Sequence, residues 1–120
     1  MLNPKYVFKI VTYQPDLSAA KLQLTELDEK SGFIHLSIGQ QIPYTCDRFF
    51  ATENAIYIIK FPYAILQGNM KWEPAPEGEE LFPHFYGDLL TADVDSTHQF
   101  NKGNHSWVDV LRNEAWLSDK

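Results

Sequence analysis

Two short segments of the sequence carry the side chains best suited to chemistry. Residues 32–37 read GFIHLS, and residues 82–87 read FPHFYG. Each segment has a histidine with a hydroxyl-bearing residue two positions later, and residues two apart in a strand project to the same face. We therefore predict that His35 and His84 lie in one cleft built from two facing strands, which would hold ribose hydroxyls, phosphates or a carbonyl.

Each histidine also has a purely structural interpretation. A lone histidine on an apolar strand, such as His35, is commonly a partly buried imidazole that is hydrogen-bonded to the backbone. His84 lies between Pro83 and Gly87, which indicate a shaped loop. Loops on a rigid scaffold are where function concentrates, so the second segment favours a site more strongly than the first.

Glu73 supplies a carboxylate next to a large aromatic residue, Trp72. Burial against the indole would raise the pKa of Glu73 and suit it to acid–base catalysis. The alternative is a core tryptophan beside a solvated glutamate. Glu73, His35 and His84 would together also satisfy a catalytic zinc, but no pair of histidines has the local spacing of metal ligands, and we expect no metal.

Length, composition and charge describe a small acidic protein. The chain has 120 residues, of which 44% are hydrophobic and 14% aromatic, so residues 1–120 are expected to form one domain. Its net charge of -6 disfavours long nucleic acids as partners. A single cysteine and the lack of a signal sequence or a membrane-length apolar run favour a cytoplasmic protein that does not bind membranes. The oligomeric state is not indicated.

The first half of the chain predicts two strands and two helices. A strand over residues 6–12 is followed by a helix over residues 15–27, where apolar residues recur at near-helical spacing, and by a solvated charged turn over residues 28–30. Residues 32–37 predict the second strand, and residues 40–50 predict the second helix. The expected buried face of that helix comprises Ile42, Cys46, Phe49 and Phe50.

The second half of the chain is predicted to be mostly β. Its first elements are a core strand, a helical turn, a strand and a loop, over residues 55–61, 63–66, 70–73 and 74–80. Apolar alternation returns over residues 89–100. Ser106 and Asp109 form a possible capping box for a helix or tail over residues 103–120. This order predicts an α+β domain rather than a doubly wound sheet.

Taken in order along the chain, these motifs resemble those of a known family. Residues 31–37 and 82–87 are separated by three further matching features, which are Gln40 or Gln41, the pair Phe49 and Phe50, and the pair Trp72 and Glu73. Over about residues 6–94 the chain resembles the small bacterial family named domain of unknown function 952 (DUF952). That family is similar in fold to ADP-ribosyltransferases and RNA 2'-phosphotransferases, which implies a split antiparallel or mixed sheet with two or three helices.

The resemblance implies a ligand and roles for individual residues. The related enzymes bind NAD or an ADP-ribosyl intermediate, so NAD or a nucleotide-like small molecule is the expected ligand. Residues 34–37 look like the Val-His-Leu-Ser stretch of the phosphotransferases. Lys9 stands where many members of the wider group have a histidine on the first strand. The expected catalytic residues are His35, His84 and Glu73, and the expected ligand-binding residues are Ser37, Tyr86, Phe33, Lys9 and Trp72.

Three functional hypotheses follow from these observations. The first is an enzyme that transfers an ADP-ribosyl or phosphoryl group and uses both motifs in one cleft. The second is a non-catalytic module that binds a nucleotide-like molecule in the same cleft, which the missing first-strand histidine favours. The third makes both motifs structural, with His35 and His84 satisfying buried backbone groups.

Overall fold

Alternating apolar residues build the strands of two sheets in a computed structural model that describes residues 3–76 and 78–118. The strands are β1 (Tyr6–Val11), β2 (Ile34–His35), β3 (Ala55–Pro62), β4 (Met70–Pro74), β5 (Leu81–Phe85) and β6 (Ser96–Asn101). The α-helices are α1 (Glu26–Ser31), α2 (Ile42–Phe49), α3 (Tyr63–Leu66) and α4 (Trp107–Leu111). The predicted α+β class is confirmed, but the two or three helices that the resemblance implied are too few, because residues 3–76 and 78–118 contain four α-helices.

The first sheet separates two hydrophobic cores. Its strand order is β1-β3-β6, and both pairings are antiparallel. Val7 and Val11 of β1 face one core, while Phe8 and Ile10 face the other. This is the alternation that the sequence predicts for a strand buried on both faces. Helices α2 and α4 cover the second core, where Trp107 is completely buried.

The second sheet has one apolar face and one polar face. Its strand order is β2-β5-β4, again antiparallel. Ile34, Phe85 and Met70 lie in register and pack into the same core as Val7. Because side chains alternate along a strand, the residues next to them project to the opposite face. His35 of β2, Glu73 of β4 and His84 of β5 lie on that opposite face.

A backbone bridge joins the two sheets. Beyond β2, Ser37 pairs with Phe8 of β1 through hydrogen bonds of 2.8 and 3.0 Å. One residue earlier, the Leu36 amide donates to the Pro83 carbonyl at 3.1 Å. The segment that follows β2 therefore contacts β5 first and β1 next, which brings Lys9 of β1 close to His35.

The helix predicted over residues 15–27 is wrong for most of its length. Helix α1 begins only at Glu26, where the Thr25 hydroxyl caps it by accepting from the Asp28 amide at 3.2 Å. The preceding segment pairs instead with residues 89–91, where Lys21 bridges Leu90 and the Leu22 amide donates to the Leu89 carbonyl at 2.8 Å. Leu24 and Leu27 remain exposed, so the apolar spacing has no core surface to pack against.

The later helices agree with the prediction in part. Ile42 and Cys46 of α2 are buried as expected, but the burial predicted for Phe49 is wrong, because it is the last residue of the helix and is 61% exposed. The Ser106 hydroxyl caps α4 by accepting from the Asp109 amide at 3.1 Å. In the described part of the chain, no helix combines the length and the apolar character needed to cross a bilayer.

Candidate functional site

The two histidines of the sequence motifs lie directly opposite each other. His35 of β2 and His84 of β5 are register partners in the second sheet. Both side chains project from the polar face, and their ring centroids are 5.5 Å apart. Partners on facing strands have neighbouring side chains, so the register alone brings the two motifs together.

An aromatic residue fixes the position of both imidazoles from one side. The Phe33 ring stacks on His84 with a centroid distance of 4.3 Å and an interplanar angle of 24°. The same ring lies 4.6 Å from His35 and 5.4 Å from Tyr86. Phe33, which the resemblance implied as a ligand contact, is thus also a packing support for the two histidines.

A buried carboxylate holds His35. The Nδ1 atom of His35 is 2.8 Å from Oδ1 of Asp28, and the His35 backbone amide donates to the same oxygen at 3.1 Å. On the other side, Nζ of Lys9 is 2.7 Å from Oδ2 of Asp28 and donates to the His35 carbonyl at 3.1 Å. The solvated turn predicted for residues 28–30 is therefore wrong, because Asp28 is a buried residue of α1.

The charges of this cluster support one another. Burial alone would raise the pKa of the Asp28 carboxyl, but the hydrogen bonds from His35 and the charge of Lys9 outweigh burial and lower the pKa to about 2. Burial also lowers the pKa of Lys9, and the Asp28 carboxylate opposes that shift. An unpaired charge at this depth would be strongly destabilising, so each of the two residues depends on the other.

His84 has a carboxylate partner at the surface. Its Nδ1 atom is 3.0 Å from Oε1 of Glu73, and the Tyr86 hydroxyl donates to the same oxygen at 2.6 Å. These hydrogen bonds lower the pKa of Glu73, so the prediction that an indole raises it is wrong. Burial lowers the pKa of His84, and the bond to Glu73 works against that shift. The bond to Glu73 raises the pKa of Tyr86.

The polar face lines a groove with a volume of about 880 Å³. Of the residues expected to contact a ligand or to act in catalysis, six line it, namely Lys9, Phe33, His35, Ser37, Glu73 and His84. Residues of α1 and α2 also line the groove, among them Leu27, Arg48 and Phe49. The groove is large enough for a mononucleotide or a dinucleotide fragment.

Two of the expected ligand contacts, Tyr86 and Trp72, do not line the groove. Tyr86 remains bound to Glu73, whereas Trp72 is separated from the group. It lies on the other face of β4 and packs against the core. Its indole Nε1 donates to the Tyr63 hydroxyl at 3.1 Å, and the two rings are 6.0 Å apart. Neighbouring residues of a strand face opposite ways, which separates Trp72 from Glu73.

Asp28 belongs to the cluster around His35, and the sequence analysis missed it. It lies outside both sequence motifs, and its neighbours Glu29 and Lys30 indicate a solvated turn. One observation in the sequence points to it. Lys9 interrupts a strand buried on both faces, and a buried lysine needs a carboxylate partner. Within residues 3–76 and 78–118, no group of three or more histidine, cysteine or carboxylate side chains is placed to hold a metal ion.

Comparison with known proteins identifies relatives but no activity. A family profile described as protein of unknown function (DUF952) matches residues 12–97. A crystal structure of protein CC0527 from Caulobacter crescentus is similar, with a TM-score of 0.72, 26% identity, and coverage of 84% of this chain and 90% of that one. A solution NMR structure of CC0527 has a TM-score of 0.70 and 23% identity, and covers 91% of this chain and 92% of that one. The search of curated proteins found no match.

Proposed function

This chain belongs to the DUF952 family, and from that premise we propose that it is a cytoplasmic enzyme that transfers a phosphoryl group of a nucleotide-like molecule. The substrate lies in the groove between the polar face of the second sheet and helices α1 and α2. His35 and His84 move the protons. One imidazole takes the proton of the attacking hydroxyl as a new P–O bond forms, and the other gives a proton to the leaving oxygen as the old P–O bond breaks.

The observation that carries this proposal is the pairing of two equivalently supported histidines. Each imidazole has its Nδ1 atom on a carboxylate, Asp28 for His35 and Glu73 for His84. That arrangement leaves Nε2 as the ring nitrogen through which each histidine would exchange a proton with a ligand. With ring centroids 5.5 Å apart, both nitrogens would reach oxygens bound to a single phosphorus atom.

The groove also suits the rest of such a ligand. Phe33, Phe49 and Phe82 line it and would pack against a base or a nicotinamide ring. Ser37 lines it as well and would contact a ribose hydroxyl or a phosphate oxygen. Arg48 of α2 also lines the groove and would favour the negative charge of the phosphate. NAD and ADP-ribose have the same chemical parts and belong to the ligand class that we propose.

A second candidate is a module that binds a nucleotide-like molecule in the same groove without turnover. The observation in its favour concerns Lys9. The resemblance implies that the lysine stands in the place of the first-strand histidine of the ADP-ribosyltransferase group, yet its ammonium is bound to Asp28 and to the His35 carbonyl. It therefore has no free ammonium with which to position a nicotinamide ribose, which favours phosphoryl transfer or binding over ADP-ribosyl transfer.

The proposal is tested by ligand-dependent thermal stability. NAD, ADP-ribose, nucleoside monophosphates and 2'-phosphorylated ribonucleotides are each added to the wild type, to His35→Ala and to His84→Ala. His98→Ala and His105→Ala serve as controls, since both of those residues are exposed. We expect at least one ligand to raise the melting temperature of the wild type and of the controls, but of neither site variant.

The time course of that ligand then separates the two candidates. Phosphorus NMR of the incubated mixture would show a new phosphate resonance if the protein is an enzyme, and an unchanged ligand if it is a binding module. No stabilisation by any of these ligands, together with strong destabilisation in both histidine variants, would assign His35 and His84 to the scaffold and refute the proposal.

A further inference from the structure

The side chains that contact His35 bear on which of its two ring nitrogens carries the proton. A carboxylate accepts hydrogen bonds and donates none. Oδ1 of Asp28 accepts from both the backbone amide and the Nδ1 atom of His35, at 3.1 and 2.8 Å. In a neutral imidazole this contact places the proton on Nδ1 and leaves the lone pair on Nε2.

Lys9 completes the arrangement from the far side of the carboxylate. Its ammonium is 2.7 Å from Oδ2, the oxygen that His35 does not use, and it also donates to the His35 carbonyl at 3.1 Å. The side chain of Asp28 is fully buried and that of Lys9 is 9% exposed, so water does not replace either contact. The two oxygens of Asp28 therefore have different partners, and the carboxylate has a single orientation.

We infer that Lys9 and Asp28 are positioning residues that fix His35 as the Nδ1–H tautomer, so that Nε2 enters the groove as a proton acceptor. His35 then accepts the proton of the attacking hydroxyl through Nε2. This catalytic role rests on the proposed function. The tautomer itself does not, because it follows from the contacts of Asp28 alone.

Lys9 does more than balance the charge of Asp28, because it also sets which side-chain atom of residue 28 faces His35. If Asp28 is replaced by asparagine, one side-chain oxygen remains to accept from both His35 and the Lys9 ammonium. The amide oxygen then faces the ammonium of Lys9, because a hydrogen bond to a charged group is the stronger one. The amide NH2 group then faces His35, which deprives the His35 backbone amide of its acceptor. Nδ1 becomes an acceptor, and the imidazole proton moves to Nε2.

The experiment is long-range proton–nitrogen NMR of the histidine side chains in the whole protein, which distinguishes the two tautomers by their nitrogen shifts. In the wild type we expect His35 as Nδ1–H. In Asp28→Asn we expect the Nε2–H form, and in the double variant Lys9→Met with Asp28→Asn we expect a return to Nδ1–H. That return is the decisive result, since a merely structural role of Lys9 would not restore a tautomer.

Glu73→Gln is the matched control. Both hydrogen bonds to Glu73 end on the same oxygen, Oε1, so a glutamine oxygen serves His84 and Tyr86 equally well. His84 should keep its tautomer in this variant. An Nε2–H form of His35 in the wild type overturns the inference, even if no variant folds. An unchanged tautomer in Asp28→Asn overturns the role of Lys9. A confirmed tautomer without binding of any nucleotide-like ligand would refute the proposed function alone.

Discussion

Nζ of Lys9 lies 2.7 Å from Oδ2 of Asp28, and both side chains are shielded from solvent between the first sheet and α1. A buried ion pair of this kind contributes little net stability compared with an apolar pair, but the removal of one partner is expensive. The pair thus links the stability of the fold to the geometry of His35. Substitution of either partner should therefore change the free energy of unfolding.

Removal of the lysine charge will destabilise the protein. Lys9→Met leaves the Asp28 carboxylate with His35 as its remaining partner, and we expect a loss of about 3–5 kcal/mol in the free energy of unfolding. Urea denaturation measures this loss. Lys21→Met is the control, because the pair of Lys21 with Asp88 is exposed and should contribute at most about 1 kcal/mol. Equal losses in the two variants would contradict a special role of the buried pair.

Acid will remove the contribution of Asp28. The folded pKa of about 2 lies below the ordinary value of 3.8, so the unfolded chain binds the proton more tightly. The stabilisation is therefore complete above pH 4 and is lost as the pH falls towards 2. Asp28→Asn should be less stable than the wild type at neutral pH, and the difference should shrink across this interval. A difference that is constant from pH 5 to pH 2 would refute the assignment.

Acid will also remove the contribution of His84, because the folded protein favours the neutral form of its imidazole. Its folded pKa is lowered from the ordinary value of 6.5 by burial, so protonation favours the unfolded chain. Stability is retained above pH 6.5 and falls as the pH drops below it. Melting temperatures of the wild type and of His84→Asn between pH 5 and pH 8 test this expectation. The variant should show the flatter profile, whereas His105→Asn should follow the wild type.

Gly39 will not tolerate a side chain. A Cβ atom at this position would overlap the carbonyl oxygen of Leu117, which belongs to a short turn that packs on the second core. We expect Gly39→Ala to lose about 1–3 kcal/mol of stability through this overlap. A Cβ atom at Gly68 would meet no other atom within 4 Å, so Gly68→Ala should be neutral or slightly stabilising. Equal stability of the two variants would contradict the packing described for residues 115–117.

The sequence predicts the parts of this fold that depend on local pattern. The alternation in β1 assigns Val7 and Phe8 to opposite cores, and the Ser106 cap of α4 is recognisable from residue types and spacing. Residues 15–24 are different. Their apolar spacing is helical, but the segment is held by long-range backbone bonds such as that from Leu22 to Leu89. A contact between residues far apart in sequence leaves no trace in local periodicity.

The residues of the candidate site also differ in whether local sequence predicts them. His35 and His84 are recognisable because each occupies a distinctive motif, and the strand register then brings them together. Asp28 is not recognisable from its neighbours, since a charged residue in a short helix is ordinarily exposed. Its burial depends on the pairing of Ser37 with β1, which moves Lys9 and His35 to either side of it.

The central claim is that His35 and His84 act on one ligand, and titration of the four histidine side chains by NMR tests it most directly. NAD, ADP-ribose, nucleoside monophosphates and 2'-phosphorylated ribonucleotides are added to the labelled wild type. The account predicts that at least one of them shifts the ring signals of His35 and His84 with a single dissociation constant, while His98 and His105 stay unchanged. Ring signals of His35 and His84 that respond to none of these ligands, or that respond with different dissociation constants, would contradict it.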